Sequence, residues 1–187
     1  MTGAEARDGC LCQPGAGSGT PIKKHQENGV TEAVPGMNDM VPEVTASMTG
    51  AGSFSLAAHR GRKVVLYFYP KDGTPGCTTE GINFRDLYPA FQAAQVDVYG
   101  ISRDSLRSHE AFKAKLGLPF DLIADTDERL CQLFDVIKSK SMYGKKVRGI
   151  ERSTFIIDGA GRLVMEWRGL QVPGHVDDVL AYVEQPA

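Results

Sequence analysis

The chain has 187 residues, of which 42% are hydrophobic, and a formal net charge of −2. This size suits one domain with a substantial core, and the near-neutral charge gives no reason to expect binding to nucleic acid or to an anionic membrane. The sequence has no apolar run near the ~20 residues of a spanning helix and no signal-peptide pattern, and its four cysteines do not suggest a disulfide scaffold. We therefore expect a cytoplasmic protein.

The first 39 residues predict a flexible tail. They contain seven glycines and three prolines but no aromatic residue, so they bury too little apolar surface to offset the entropy cost of ordering. Cys10 and Cys12 lie in this tail, and His25 is the only candidate for a further metal ligand nearby. We interpret both cysteines as incidental thiols and expect neither a bound metal nor a cofactor. The folded domain is predicted over residues 40–187.

The stretch VVLYFY at residues 64–69 combines β-branched and aromatic side chains, a pattern typical of a fully buried strand. Two short strands are predicted ahead of it, around residues 44–46 and 53–56. Pro70 ends the buried strand because it cannot donate to a ladder, and residues 71–76 hold two glycines and a second proline, which predicts a tight loop. Beyond Cys77, the apolar residues have the spacing of a helix packed on one face: Phe84, Leu87, Tyr88 and Phe91.

The second half of the chain continues to alternate strands and helices. A strand over residues 95–102 completes a strand–helix–strand unit. The elements predicted after it are a helix from Ser105 to Lys115 ended by Gly117, a short strand at 120–124, a helix opened by residues 125–127 and carrying Leu130, Leu133, Phe134 and Ile137, a loop at 138–146, two strands at 152–158 and 162–168 joined by a hairpin turn, and a helix at 175–183. This order fits an α/β thioredoxin-like fold with a central mixed sheet flanked by helices. His109 and His175 fall on helices, where we interpret both as structural.

Cys77 is predicted to lie where the loop enters a helix. The unsatisfied backbone N–H groups and the positive end of the helix dipole at such a position both favour the thiolate, which is the nucleophilic form of cysteine. The alternative is a small buried cysteine that only packs beneath the strand. The position alone does not decide between the two.

Pro70, Thr74 and Cys77 together spell P-x-x-x-T-x-x-C, which resembles the active-site signature of the peroxiredoxins. The longer segment YFYPKDGTPGCTTE is similar to the branch called bacterioferritin comigratory protein, or peroxiredoxin Q. The segments MYGK at 142–145 and ERSTFIID at 151–158 resemble the same branch. The resemblance implies a thioredoxin-like fold and a thiol-dependent peroxidase that reduces hydrogen peroxide and organic hydroperoxides through a cysteine sulfenic acid, in antioxidant defence and redox homeostasis.

The resemblance also implies the roles of the site residues. Cys77 is the nucleophile, Thr74 offers a hydroxyl, and backbone N–H groups near Gly76 and Cys77 stabilise the charge on the leaving oxygen. Pro70 shields the site and holds the loop, and Arg152 places a guanidinium against the thiolate, a contact that spacing alone does not predict. Glu80 matches the signature as well, but an acidic residue at a helix start is a sufficient explanation for it.

The recycling step is where this sequence departs from the branch. Many members carry a resolving cysteine five residues after the reactive one, and here that position is Ile82. Cys131 is a possible resolver, but its helical position predicts the edge of a buried face, and Cys10 or Cys12 could reach in from the tail. We expect an external thiol, from thioredoxin, glutaredoxin or a small molecule, to resolve the sulfenic acid, and a monomer or weak homodimer.

Two other interpretations share the reactive cysteine. A dithiol oxidoreductase needs a second cysteine three residues on, where this chain has Glu80. A non-enzymatic redox-sensing or chaperone-like binding module would use Cys77 without turnover. Fast oxidation by peroxide would distinguish the peroxidase from that module.

Overall fold

The computed structural model describes residues 34–142 and 145–185. Its strands are β1 (Thr45–Met48), β2 (Gly52–Ser55), β3 (Lys63–Phe68), β4 (Val96–Ser102), β5 (Leu122–Ala124), β6 (Ile137–Met142), β7 (Lys145–Ile150), β8 (Ser153–Ile157) and β9 (Leu163–Arg168). Its helices are α1 (Pro75–Ala93), α2 (Leu106–Leu116), α3 (Arg129–Leu133) and α4 (His175–Val183), and a short 3-10 turn covers Leu56–His59. Among the described residues, no helix is both long enough and apolar enough to cross a membrane.

Seven strands form one mixed sheet in the order β2-β1-β5-β4-β3-β8-β9. The central strand β3 pairs in parallel with β4, where Val65 is opposite Val98, and antiparallel with β8, where Val65 is opposite Ile156. The predicted strand–helix–strand unit is therefore β3–α1–β4, and the predicted C-terminal hairpin is β8–β9. Strand β3 is hydrogen-bonded on both sides, which gives the loop that follows it a rigid support.

The two faces of the sheet carry separate cores because side chains alternate along each strand. On one face, Tyr67 of β3 and Tyr69, which directly follows the strand, pack with apolar residues from α1, α2 and α4. On the other, Leu66 and Phe68 pack with residues of α3 and of the segment that follows it. Gly100 of β4 makes room for Tyr67 on the first of these faces, since a Cβ at Gly100 would lie 2.6 Å from the Tyr67 hydroxyl. Cys77 belongs to the first core and Cys131 to the second.

The predicted limits of α2 agree closely with the structure. The Ser105 side chain accepts a hydrogen bond from the Ser108 N–H at 3.3 Å, which is the expected N-cap. Gly117 follows the last residue with φ of +63°, the left-handed conformation that glycine adopts at little cost. The helix ends were predictable because both signals are local.

The prediction of a loop over residues 138–146 is wrong, since β6 and β7 form an antiparallel two-stranded sheet there. The preceding helix was also predicted too long: α3 ends at Leu133, and Ile137 lies in β6 opposite Ile150. The stretch from Lys138 to Ser141 is wholly polar, so it gives none of the apolar alternation by which a half-buried strand is recognised.

Part of the segment assigned to the tail contacts the sheet. The Asn38 N–H donates to the Leu163 carbonyl at 2.7 Å, and the Leu163 N–H donates to the Asp39 carbonyl at 3.0 Å. Met40 forms an isolated bridge with Arg162 in the same stretch. The cysteines at positions 10 and 12 lie outside the described residues.

Candidate active site

The site is built where β3 meets α1. The Tyr69 N–H donates to the Ile101 carbonyl at 3.0 Å, which extends the pairing with β4 one residue beyond β3. Pro70 then leaves the sheet and is exposed, as its missing N–H requires. Thr74 is the N-cap residue of α1, and Pro75 occupies the first helical position, where a proline costs nothing.

Cys77 is the third residue of α1, which agrees with its predicted position at the start of a helix, and it is 2% exposed. Its sulfur therefore lies in the first helical turn, where backbone N–H groups have no partners within the helix. The buried position also agrees with the alternative that the sequence left open, a cysteine that packs beneath the strand. The neighbours of the sulfur distinguish the two interpretations.

Arg152 contacts the sulfur directly. It immediately precedes β8, and its Nη2 donates to Cys77 Sγ at 3.3 Å across a sequence separation of 75 residues. Its backbone is fixed as well, because the Leu170 N–H donates to the Arg152 carbonyl at 3.1 Å. Gly76 leaves room for the guanidinium, since a Cβ at that position would lie 3.3 Å from Nη2. A cysteine that only filled space would not need a cation held against it.

Glu80 is the site residue that the sequence interpretation missed. It lies one helical turn after Cys77, it is fully buried, and it accepts a hydrogen bond from Arg152 Nη1. Its place as an acidic residue at a helix start is therefore not a sufficient explanation for Glu80. Its spacing of three residues from Cys77, which places both on one helix face, was the signal that could have found it.

Charges in the site affect one another. Burial raises the pKa of Glu80 to about 7, although Arg152 opposes that effect. Burial also works against the charge on Arg152, but Glu80 and Cys77 together raise the pKa of the guanidinium above its ordinary value. Arg152 is thus a permanent cation whose Nη1 donates to the Glu80 carboxyl group and whose Nη2 donates to the Cys77 sulfur.

Thr74 and Pro70 lie beside this centre. The Thr74 hydroxyl donates to the Lys71 carbonyl at 3.1 Å, within the loop, which leaves its oxygen lone pairs available. The hydrogen bonds of the described residues include none between that hydroxyl and Cys77. Pro70 forms the exposed rim of the loop rather than part of its packed interior.

Cys131 lies on the other side of the sheet from Cys77. It is 0% exposed, within the core on that opposite face. Its burial is the larger cause, and the nearby Asp125 the second, of a thiol pKa well above the ordinary value. The predicted position at the edge of a buried face is wrong, because that estimate assumed a regular helix extending to Ile137. Ile82, at the usual resolving position, lies half-buried in α1.

Both histidines singled out in the sequence are buried and hydrogen-bonded. His109 contacts Asp72 and the Ile123 carbonyl, and His175 Nε2 lies 2.8 Å from the Thr154 hydroxyl. Burial lowers the pKa of His175 to about 4, and Arg152 adds to that effect. Neither histidine is in a described hydrogen bond with Cys77.

A helix-start cysteine that contacts a guanidinium, set at the edge of a thioredoxin-like sheet, defines a thiol-based oxidoreductase. Comparison with known proteins narrows the class. The model of the AhpC/TSA family matches residues 37–165. The chain is 49% identical to Peroxiredoxin Bcp of Xanthomonas campestris pv. campestris, and the match covers 84% of this chain and 99% of that protein. It is also 49% identical to Peroxiredoxin Bcp of Bacillus subtilis, where the match covers 67% of this chain and 80% of that protein.

A solved structure of the Xanthomonas campestris bacterioferritin comigratory protein, a trapped intermediate/ligand complex concerned with alkyl peroxide reduction activity, superposes with a TM-score of 0.73. It is 51% identical and covers 75% of this chain and 90% of that one. The chain belongs to the AhpC/TSA family and is a thiol peroxidase of the peroxiredoxin type. The predicted fold and the predicted resemblance to the peroxiredoxin Q branch are both confirmed.

Proposed function

We propose that Cys77 is the nucleophile that reduces hydrogen peroxide and small organic hydroperoxides. The thiolate sulfur attacks one peroxide oxygen, an S–O bond forms as the O–O bond breaks, and the other oxygen leaves as hydroxide or alkoxide and takes up a proton. The sulfur is oxidised by two electrons to a sulfenic acid, and the peroxide is reduced by two. The observation that supports this role is the 3.3 Å contact from Arg152 Nη2 to Sγ at the start of α1.

The surrounding groups supply what this reaction needs. Negative charge moves from the sulfur to the leaving oxygen, so fixed donors near both atoms lower the barrier. Arg152 provides a cation already in place, and the backbone N–H groups of the first turn, near Gly76, provide neutral donors. Thr74 provides a hydroxyl that positions the peroxide, and Pro70 closes the solvent side of the loop. The almost buried sulfur favours small peroxides as substrates.

We propose that an external thiol recycles the enzyme. A thiolate from thioredoxin, glutaredoxin or a small molecule attacks Cys77 Sγ, an S–S bond forms, and the hydroxyl leaves as water. A second thiol then reduces that disulfide and releases Cys77. Cys131 is buried on the opposite face of the sheet with a thiol that resists ionisation, so it is poorly placed to act as an internal resolver. We propose a monomer or weak homodimer that works in the cytoplasm.

The test is rapid mixing with one equivalent of hydrogen peroxide, followed by mass spectrometry. The wild-type protein should be oxidised orders of magnitude faster than free cysteine, and the product should be a sulfenic acid at Cys77. In the presence of a small thiol it should become a mixed disulfide at the same residue. Oxidation no faster than that of free cysteine would instead favour a non-enzymatic redox-sensing module. A disulfide between Cys77 and Cys131 would show that the resolving thiol is internal.

A further inference from the structure

A buried polar cluster joins the catalytic loop to α2, and the reaction described above makes no use of it. Its centre is Asp72, which lies in the loop between Pro70 and Thr74 and whose side chain is 7% exposed. The carboxylate accepts hydrogen bonds from the Tyr69 hydroxyl at 2.8 Å, from the Ser108 hydroxyl at 2.7 Å and from His109 Nδ1 at 3.0 Å. A buried carboxylate with this many donors indicates a purpose-built anchor rather than an ordinary loop contact.

The partner of Asp72 in this cluster is a fully buried histidine. His109 Nδ1 faces the Asp72 carboxylate, and Nε2 faces the Ile123 carbonyl at 3.2 Å. Both of these groups are acceptors, and the two ring nitrogens face them. The Asp72–His109 contact therefore ties the loop to α2 and, through the Ile123 carbonyl, to β5.

The loop is also fixed through its backbone. The Asp72 N–H donates to the Asp104 carboxylate at 2.8 Å, and that carboxylate accepts from the Ser102 hydroxyl at the end of β4 at 2.7 Å. Burial raises the pKa of the Asp72 carboxyl, but hydrogen bonds from His109 and Ser108 more than offset it, so that pKa lies below its ordinary value. The anion is therefore the form that these contacts stabilise.

The position of this anchor matters because the chain between Asp72 and Cys77 is short and contains two glycines. Gly73 has φ of +72°, a conformation that glycine adopts freely, and Gly76 precedes the reactive residue. Without an anchor these residues would allow the start of α1 many orientations. With Asp72 fixed on two sides, the first helical turn is held where Sγ meets Arg152.

We propose that Asp72, held by His109, is a positioning residue that aligns the Cys77 thiolate with Arg152 and with the helix N–H groups for attack on the peroxide. The inference rests on the proposed role of Cys77. It predicts a defect specific to peroxide, because that reaction needs donors aimed at a leaving oxygen, whereas alkylation by iodoacetamide needs only an accessible thiolate.

The experiment compares the two reactions in Asp72→Asn. The second-order rate constant for oxidation by hydrogen peroxide should fall roughly tenfold or more, while the iodoacetamide rate constant should change by less than about twofold. Both rate constants are measured as a function of pH and compared on the high-pH plateau of each pH–rate profile, where the thiol is fully ionised. The matched control is Asp97→Asn, which breaks the contacts of another partly buried carboxylate with His59, 3.0 Å away, and with Arg62, at the opposite end of β3 and β4. The control should keep the wild-type ratio of the two rate constants.

Ser108→Ala covers the case in which Asp72→Asn does not fold. It removes one donor to the carboxylate and should lower the ratio of the two rate constants in the same direction by a smaller factor. Where Asp72→Asn folds, adding His109→Gln should lower the peroxide rate constant no further than either change alone, because the pair acts as a unit.

An unchanged ratio in folded Asp72→Asn or in Ser108→Ala would overturn the positioning role, as would a proportional loss of both reactions. A wild-type protein that reacts no faster than free cysteine would instead overturn the peroxidase role of Cys77, and this inference with it.

Discussion

His175 makes the stability of this protein depend on pH in a way that one substitution can isolate. The ring is buried at the start of α4, its Nε2 lies 2.8 Å from the Thr154 hydroxyl, and its pKa is lowered from 6.5 to about 4. In the unfolded chain the same ring would titrate near 6.5. Between pH 6.5 and about 4 the unfolded state therefore binds more protons than the folded state, and the free energy of unfolding falls as the pH falls.

The size of this contribution follows from the difference between the two pKa values of His175. At about 1.4 kcal/mol per pH unit, the difference between 6.5 and about 4 corresponds to about 3 kcal/mol of stability, fully present above pH 6.5 and lost below about 4. Glu80 acts in the opposite direction. Its pKa is raised from 4.5 to about 7, so its contribution is present below 4.5 and lost as the pH rises through 7. The two contributions largely cancel in the wild type between pH 4.5 and 6.5.

The variant His175→Gln separates the contribution of His175 to the pH dependence of stability from that of Glu80. A glutamine amide can accept the Thr154 hydrogen bond without titrating, so the acid-dependent loss from residue 175 should disappear while the loss from Glu80 on raising the pH remains. Urea unfolding from pH 4 to 8 measures both pH-dependent contributions. The signal is the fluorescence of Trp167, the single tryptophan of the sequence, whose ring packs edge-on against His175 with 5.5 Å between the ring centroids. The difference in unfolding free energy between wild type and variant should change by about 3 kcal/mol across this range. Parallel curves would refute the assignment of a neutral, buried His175.

Three further predictions concern the reaction itself. Cys77→Ser should abolish peroxide consumption while the circular dichroism spectrum stays that of the wild type, and residual turnover near the wild-type level would exclude Cys77 as the nucleophile. Arg152→Met should lower the second-order rate constant for peroxide by about 10²–10³, measured by stopped flow, because one donor beside the sulfur is lost; a change of less than about threefold would contradict the proposed role of the guanidinium. Cys131→Ser should retain at least half of the turnover coupled to an added thiol reductant, and a collapse of steady-state activity with the first oxidation step intact would identify Cys131 as the resolver.

The parts of this site that the sequence predicted are those with local causes. The strand before Pro70, the loop and the start of α1 follow from residue types and their spacing over about twenty positions, and the structure has Cys77 in the first turn as expected. The two caps of α2 were equally local. In each case the signal and the structure lie within the same short segment, so no tertiary contact could overrule it.

The parts that the sequence did not predict depend on contacts between distant segments. The approach of Arg152 to Cys77 spans 75 positions, and only the family resemblance suggested it. The burial of Cys131 depended on where α3 stops, and that helix is too short for its apolar spacing to define its end. Glu80 was misjudged for the same reason, because an acid near a helix start is explained locally until the arginine that pairs with it is known.

The arrangement of Arg152 between Glu80 and Cys77 has a consequence for the catalytic cycle. A guanidinium in a largely buried site is costly unless it is paired, and here it has two partners. In the reaction that we propose for Cys77, the thiolate becomes an uncharged sulfenic acid, and Arg152 then loses its charged partner at the sulfur but keeps Glu80. The cation is therefore never left buried and alone, and Arg152 stays in position for the next thiolate. We therefore propose that Glu80 holds Arg152 in place through the oxidation step, because it remains a partner of the guanidinium when the sulfur loses its negative charge.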